Sequence, residues 1–308
     1  VGHQCNFIKV VMAKKKNGGW SAWLQEMISR KSETKPYKWL FPAEIGMMLY
    51  GIFTLLLIAF TYTSIPDPEQ LIWWRVRVML LTVAMWIVYR LWTCRMIALA
   101  RVVLLFVTLG WWYPDTYLLN CHFDNLDHIF AAWDQYLFGF QPALVWSKAF
   151  PSRIVSELMA MGYAFYFLMF ASLVFYIFFK RYNEFQKVAY ILVSSFFIYY
   201  VIFDLFPVAG PQYYYLAVGL DNIQAGHFPA VGTYFASHTE CLPIPGWEDG
   251  FFRGLVQTSH DAGERPTAAF PSSHVGVSTL TMLMALRLKE WKFALIWAVP
   301  YAFLCMGT

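Results

Sequence analysis

Seven apolar blocks, at about 43–63, 71–89, 96–113, 155–179, 188–206, 272–288 and from 293 onward, decide what this chain can become. Each is close to the roughly twenty residues that a helix needs to span a hydrocarbon core. Lipid offers no partner to an unpaired backbone group, so a helix, which satisfies both N–H and C=O internally, is the spanning element. Composition agrees: only 14% of residues are charged, against about a quarter in a soluble domain. The predicted fold class is all-α, a polytopic bundle of about seven spans with an interfacial helix and a long outer loop. Three regions are expected: a basic tail over 1–42, N-terminal transmembrane helices over 43–109, and a membrane domain over 110–308.

The net charge of +4 does not mark a nucleic-acid binder, because the basic residues are spread through connections rather than gathered on one face. They orient the bundle instead. Lys9, Lys14, Lys15, Lys16, Arg30, Lys31, Lys35 and Lys38 precede the first block, and Arg90, Arg95 and Arg101 follow the second. Lys180, Arg181 and Lys187 follow the fourth block, and Arg287, Lys289 and Lys292 lie between the last two. Arg75, Arg77, Lys148, Arg153, Arg253 and Arg265 fall on the opposite side. The richer side, with the N-terminus, is predicted to be cytoplasmic. The cysteines show no metal-ligand spacing; only Cys121 and Cys241 share the non-cytoplasmic compartment, which permits a disulfide.

Two segments then lie outside. Over 114–154 a stripe of Leu119, Phe123, Leu126, Phe130, Trp133 and Leu137 steps by four and three, with Asp124, Asp127 and Asp134 opposite. This pattern predicts an amphipathic helix at the interface, its acids in water. The segment 207–271 is rich in Pro, Gly and Tyr and too aromatic for disorder, so an ordered lid or binding loop is expected.

The chemistry gathers in "ERPTAAFPSSHVGVS", at the mouth of the sixth block. Pro271 suits a helix start and Ser272 or Ser273 its cap. The free N–H groups there, with the positive end of the helix dipole, form an anion site. Arg265 is near enough to fold back as a forked clamp for phosphate oxygens, and His274 in the first turn can hand a proton to a leaving group. A cap, an interfacial His and a lipid-anchoring Arg are the plain alternatives for each residue singly. Asp204, an ionisable residue near the outer end of its span, is a further functional suspect.

"FPSSHVGVS" resembles the second signature motif of the type 2 phosphatidic acid phosphatase superfamily, usually Pro-Ser-Gly-His. "DQYLFGFQP" (Asp134 to Pro142) and "FPVAGPQYYY" (Phe206 to Tyr215) are similar to the branch containing inositol phosphorylceramide synthases. The resemblance covers roughly residues 110 to 308. It implies phosphotransfer through a phosphohistidine, with no metal or cofactor. His274 would protonate the leaving alcohol, while Arg265, Ser272 and Ser273 hold the phosphate. Gly210, Pro211, Gln212, Tyr213 and Asp134 would contact the substrate. The partners implied are a phospholipid donor and a lipid or water acceptor. Two departures stand out. Where the phosphatases carry Lys seven residues before Arg-Pro, this chain has Thr258, which favours the transferase branch. No histidine follows His274, although the family scheme places its nucleophile in a later motif.

Both ends read as cut, since the chain opens on Val1 and closes inside an apolar block. A helix rising from Lys292 leaves Thr308 just short of the outer interface, so a longer reading frame is expected to supply a His within about ten residues and an Asp about four residues later. Residues 1–308 alone are expected to bind phosphate weakly and turn over nothing.

The leading expectation is a transferase of a phosphoinositol-like head group. A lipid phosphate or polyprenyl diphosphate phosphatase is the alternative within enzymes, and a non-catalytic lipid binder or transporter the alternative outside them. The orientation is directly testable. A cysteine placed at Gly226 or Gly250, with the native cysteines removed, should label with an impermeant thiol reagent in intact cells; labelling only after lysis reverses the orientation.

Overall fold

The computed structural model describes residues 25–29, 32–33, 36–243, 246–247, 249–261 and 264–307. Of the residues singled out above, Cys5, Lys9, Lys14, Lys15, Lys16, Arg30, Lys31, Lys35 and Thr308 lie outside that set. The described residues form helices and connections with no strand. In chain order the helices are α1 (Pro42–Phe60), α2 (Pro68–Leu91), α3 (Arg95–Asn120), α4 (Asp127–Phe138), α5 (Pro142–Ala149), α6 (Arg153–Ala164) and α7 (Tyr166–Lys180). There follow α8 (Tyr182–Leu205), α9 (Pro211–Val218), α10 (Leu220–Gln224), a 3-10 turn (Tyr234–Ala236), α11 (Phe251–Asp261), α12 (Ser273–Arg287) and α13 (Trp291–Gly307).

Every predicted block is helical. Among the described residues, α1, α2, α3 and α8 are long and apolar enough to cross a membrane, and α6 with α7 makes a fifth span broken by a 46° bend. The chain is a multi-pass membrane protein. Helices α12 and α13, with 15 and 17 residues, are shorter than a full crossing. Helix starts carry their expected signals. Proline opens α1, α2, α5 and α9, where its missing N–H costs nothing. Helix α4 stops at Gly139, whose φ of 75° suits glycine.

Helix α8 is the hub and packs on α1, α3, α7 and α12, while α13 lies along α6. Close approach rests on small residues, as is usual where lipid gives no hydrophobic drive between helices. A Cβ on Gly162 would come within 2.5 Å of the Leu304 nitrogen and 2.8 Å of the Pro300 oxygen of α13. A Cβ on Gly276 would overlap the Tyr199 hydroxyl of α8.

Several expectations change. Arg75 and Arg101, counted above as orienting charges, are 0% and 1% exposed and belong to the bundle interior. Arg101 chelates Glu44 and lies 3.5 Å from the centre of the Phe41 ring. Arg75 donates to Thr54 Oγ1 and to Asp115 Oδ2, both at 3.0 Å. Asp204 is fully buried and accepts from the Tyr50 hydroxyl at 3.1 Å. These pairs tie α1 to α2, α3 and α8.

The first outer segment also starts later than predicted. Helix α3 continues through Pro114 to Asn120, so Leu119 belongs to it, and α4 begins only at Asp127. Trp133 and Leu137 face outward, as an interfacial stripe should. Asp127 does not face water: it is 4% exposed. The described residues of the second outer segment fold as short helices, with a cluster around Tyr213, Tyr214, Tyr215, Ile223 and Phe235. Cys121 and Cys241 are free thiols, so the disulfide that their compartment permitted is not formed.

Asp127 explains how the outer segments hold together. Its carboxylate accepts from the Ala209 and Gly210 nitrogens at 2.7 and 2.8 Å, and from Asn125 Nδ2 at 2.6 Å. Beside it, Leu126 N donates to Pro207 O at 2.9 Å and Asn125 N to Gly232 O at 2.9 Å. Asp127→Ala would strand two buried backbone donors at about 1–3 kcal/mol each. It should lower the melting temperature in detergent by several degrees and expose the 207–215 segment to protease, with Asp127→Asn intermediate. Wild-type melting and protease resistance in the alanine variant would remove Asp127 from this role.

Candidate active site

The segment carrying the phosphate-type motif is pinned from both sides. Asn120 Nδ2 donates to Thr267 Oγ1 at 2.6 Å and to Phe203 O at 2.8 Å, and Ala269 N donates to Val208 O at 3.0 Å. From that anchorage Ser272 caps α12, its Oγ accepting from Val275 N at 3.3 Å. Ser272 is therefore the cap, Ser273 the first helical residue, and Pro271 stands before both. The N–H groups of Ser273 and His274 precede the helix's own hydrogen-bond ladder, the property that makes a helix start attract anions.

The bend between α6 and α7 builds the wall opposite. Tyr163 and Tyr166 flank the break at Phe165, and both rings lie on His274. Tyr163 stacks at 4.5 Å between centroids with planes 22° apart, and Tyr166 tilts at 4.4 Å. His274 and Ser273 stand at one end of an apolar cleft of about 520 Å³ lined by α3, α6, α7 and α8. Glu264 and Ser259 line the same end.

One histidine of this end lay outside the reading of the motif, which looked only downstream of His274. His260 Nδ1 lies 2.6 Å from Glu264 Oε2. The ring of Tyr163 is 6.5 Å from His260 and 4.5 Å from His274, so it neighbours both imidazoles. The i,i+4 spacing of His260 and Glu264 was the available signal. Helix α11, which carries His260, is held by Glu157 of α6, whose carboxylate caps the nitrogens of Phe252 and Arg253 at 3.1 and 3.0 Å. Gly250 leaves the room for this, since a side chain there would overlap the Glu157 carboxyl. Gly226 is thus the less disruptive of the two labelling positions, although its φ of 74° favours glycine.

Glu264 is the electrostatic hub of the cluster. Its charge acts on His274, Tyr163, Tyr113, Tyr213 and Cys241. Burial pushes the Tyr213 hydroxyl and the Cys241 thiol up from their usual ranges, and Glu264 adds to both; Arg265 opposes it at Tyr213. Arg265 is exposed, and its charge acts on Tyr117 and Tyr213. It does not line the cleft that holds His274.

The remaining predicted residues fall elsewhere. Gly210, Pro211 and Asp134 line a second cavity of about 580 Å³ with Asp127, Phe130, Tyr215 and Phe270. Burial raises the Asp134 carboxyl above its usual range. Gln212 joins neither cavity lining; its carbonyl accepts from Leu242 N at 2.9 Å. Thr258, the position at which the phosphatases carry Lys, is exposed on α11 and donates to Gly254 O at 2.8 Å. No group of three or more His, Cys, Asp or Glu side chains arranged to hold a metal ion occurs among the described residues.

Residues 128–307 match the family model described as the PAP2 superfamily, more than half of the chain. No curated protein and no solved structure matches the chain.

Proposed function

Because the chain belongs to the PAP2 superfamily, whose chemistry is of the lipid phosphatase and phosphotransferase type, we propose that it transfers a phosphoinositol-like head group from a lipid donor to a lipid acceptor. In this reading, at the non-cytoplasmic face, a histidine of the later motif in the family scheme attacks phosphorus as the bond to the donor lipid's oxygen breaks, and the acceptor alcohol then displaces the phosphoryl group from that histidine and gives up its proton. The observation that carries it is the placement of His274 in the first turn of α12, at the polar end of an apolar cleft. A phosphate ester of a lipid has the same two-part character.

His274 donates the proton to the leaving alcohol, and its imidazole is oriented by the rings of Tyr163 and Tyr166. The first-turn N–H groups, with Ser272 and Ser273, receive the phosphate oxygens. Arg265, exposed beside Tyr213, swings toward the phosphate when substrate is present. Burial disfavours a charged imidazole at His274; the Glu264 carboxylate, held by His260, offsets part of that, and the phosphate of a bound substrate would offset more. The acceptor is a lipid alcohol rather than water because the cleft is apolar, and excluding water favours transfer over hydrolysis.

In the full-length enzyme, His274→Ala should slow release of a poor leaving alcohol by about 10²–10⁴, the range for a lost general acid. An activated nitrophenyl ester should lose far less; equal losses on both would end the general-acid assignment. Arg265→Lys should also be costly, because an ammonium cannot reproduce the planar fork, and normal turnover would demote Arg265 to a lipid anchor. Head-group release with and without ceramide or diacylglycerol separates transfer from hydrolysis.

A further inference from the structure

The cleft that ends at His274 is longer than a phosphate site needs. It runs as a groove along the bundle, walled by α3 on one side and by α6 and α7 on the other, with Phe196 and Tyr200 of α8 in its floor. Tyr113, Pro114 and Tyr163 stand at the His274 end, and Val103 and Phe175 at the far end. The α3 wall from Val103 to Pro114 rises about 17 Å at 1.5 Å per residue. Val107, Phe167 and Phe175 along the rim are exposed, so the groove opens sideways.

We propose that this groove holds one hydrocarbon chain of the same lipid whose phosphate sits at His274, and that α3 selects which chains fit. The inference rests on the reading of His274 given above and adds the chain-binding element to it. Two observations single out this occupant. The groove is continuous with the end where Ser259, Glu264, Ser273 and His274 line it, so a lipid with its phosphate at Ser273 and His274 has an apolar path that begins there. Its α3 wall lies outside the matched residues 128–307, whereas Ser273, His274 and the α6–α7 wall lie inside them. A chain entering from the bilayer gains nothing by leaving water, so selection comes from packing and shape.

Gly110 makes the test clean. It lies on the α3 wall, and a Cβ there would meet nothing within 4 Å. Gly110→Phe therefore starts a ring from open space on the groove wall, and replacing a helical glycine favours the helix. Val107→Trp, on the exposed rim of the same wall, is the second variant.

The probes are hexyl phosphate, hexadecyl phosphate, and hexadecyl phosphate with a diazirine at its chain end, used on the full-length protein in membranes. Both variants should lower the hexadecyl-to-hexyl ratio of kcat/KM about tenfold or more, the scale for a mis-sized apolar pocket. The diazirine should cross-link to the 103–110 and 170–175 stretches in the wild type and lose those sites in Gly110→Phe. An unchanged ratio in both folded variants overturns the proposal. So does equal cross-linking by a diazirine-tipped hexadecanol, which would make the groove a general lipid contact. If His274→Ala releases phosphate normally while the groove cross-links persist, the reading of His274 has failed and the groove assignment has not.

Discussion

A single buried carboxylate organises the end of the bundle that carries the Pro-Ser-Ser-His segment. Asp127 turns the backbone of Ala209 and Gly210 inward, and Val208 beside them accepts from Ala269. Ala269 lies five residues before His274 in the chain, so the aspartate, the 207–210 turn and the phosphate-type motif form one continuous set of backbone contacts. Asn120 closes the set by reaching both Thr267 and Phe203. Without such partners these connections would leave several backbone groups unpaired near the membrane, each costing more than a solvated loop would.

The interior of the bundle follows the same rule with charges in place of amides. Arg101 with Glu44, and Arg75 with Asp115, are buried pairs whose desolvation offsets much of their attraction. Their use is in specifying which helices pack together: each guanidinium joins partners on different helices, so a slipped packing would strand a charge. The 46° bend at Phe165 is the other device. It places Tyr163 and Tyr166 on either side of a backbone break, so that two rings from nearly adjacent positions converge on one imidazole.

The helical spans and the motif at the start of α12 were legible in the sequence because both are local: apolar blocks of spanning length, and Ser272 ahead of a helix. What escaped was set by long-range pairing. Arg75 and Arg101 looked like interface charges because a residue count cannot see Asp115 or Glu44 across the bundle. Asp127 fell on the polar face of a helical pattern, yet its acceptors' partners come from a turn more than eighty residues away. The third apolar block ends near residue 113, but α3 passes through Pro114 to Asn120 and stays packed against α8. His260 belongs to none of the motifs; its spacing to Glu264 is visible in the sequence, and its neighbourhood beside Tyr163 and His274 is set by the packing of α11 on α6.

Asp134 and His274 show why the two cavities are kept apart. The segment from Ala269 to His274 runs between them, with Ala269 and Phe270 on the Asp134 side and Ser273 and His274 on the other. A carboxylate facing a phosphate repels it, by an amount that grows as water is excluded. Glu264, the acid that does share the His274 end, is held against His260, with Oε2 2.6 Å from Nδ1. Asp134 has no such partner in its cavity lining, and its raised proton affinity reflects burial alone. An anionic substrate at His274 is thus compatible with both acids only because one is paired and the other lies behind the motif. In the proposed reading the same separation leaves the groove along α3 as the apolar route that begins at the His274 end, which brings a helix from outside the matched residues into the site.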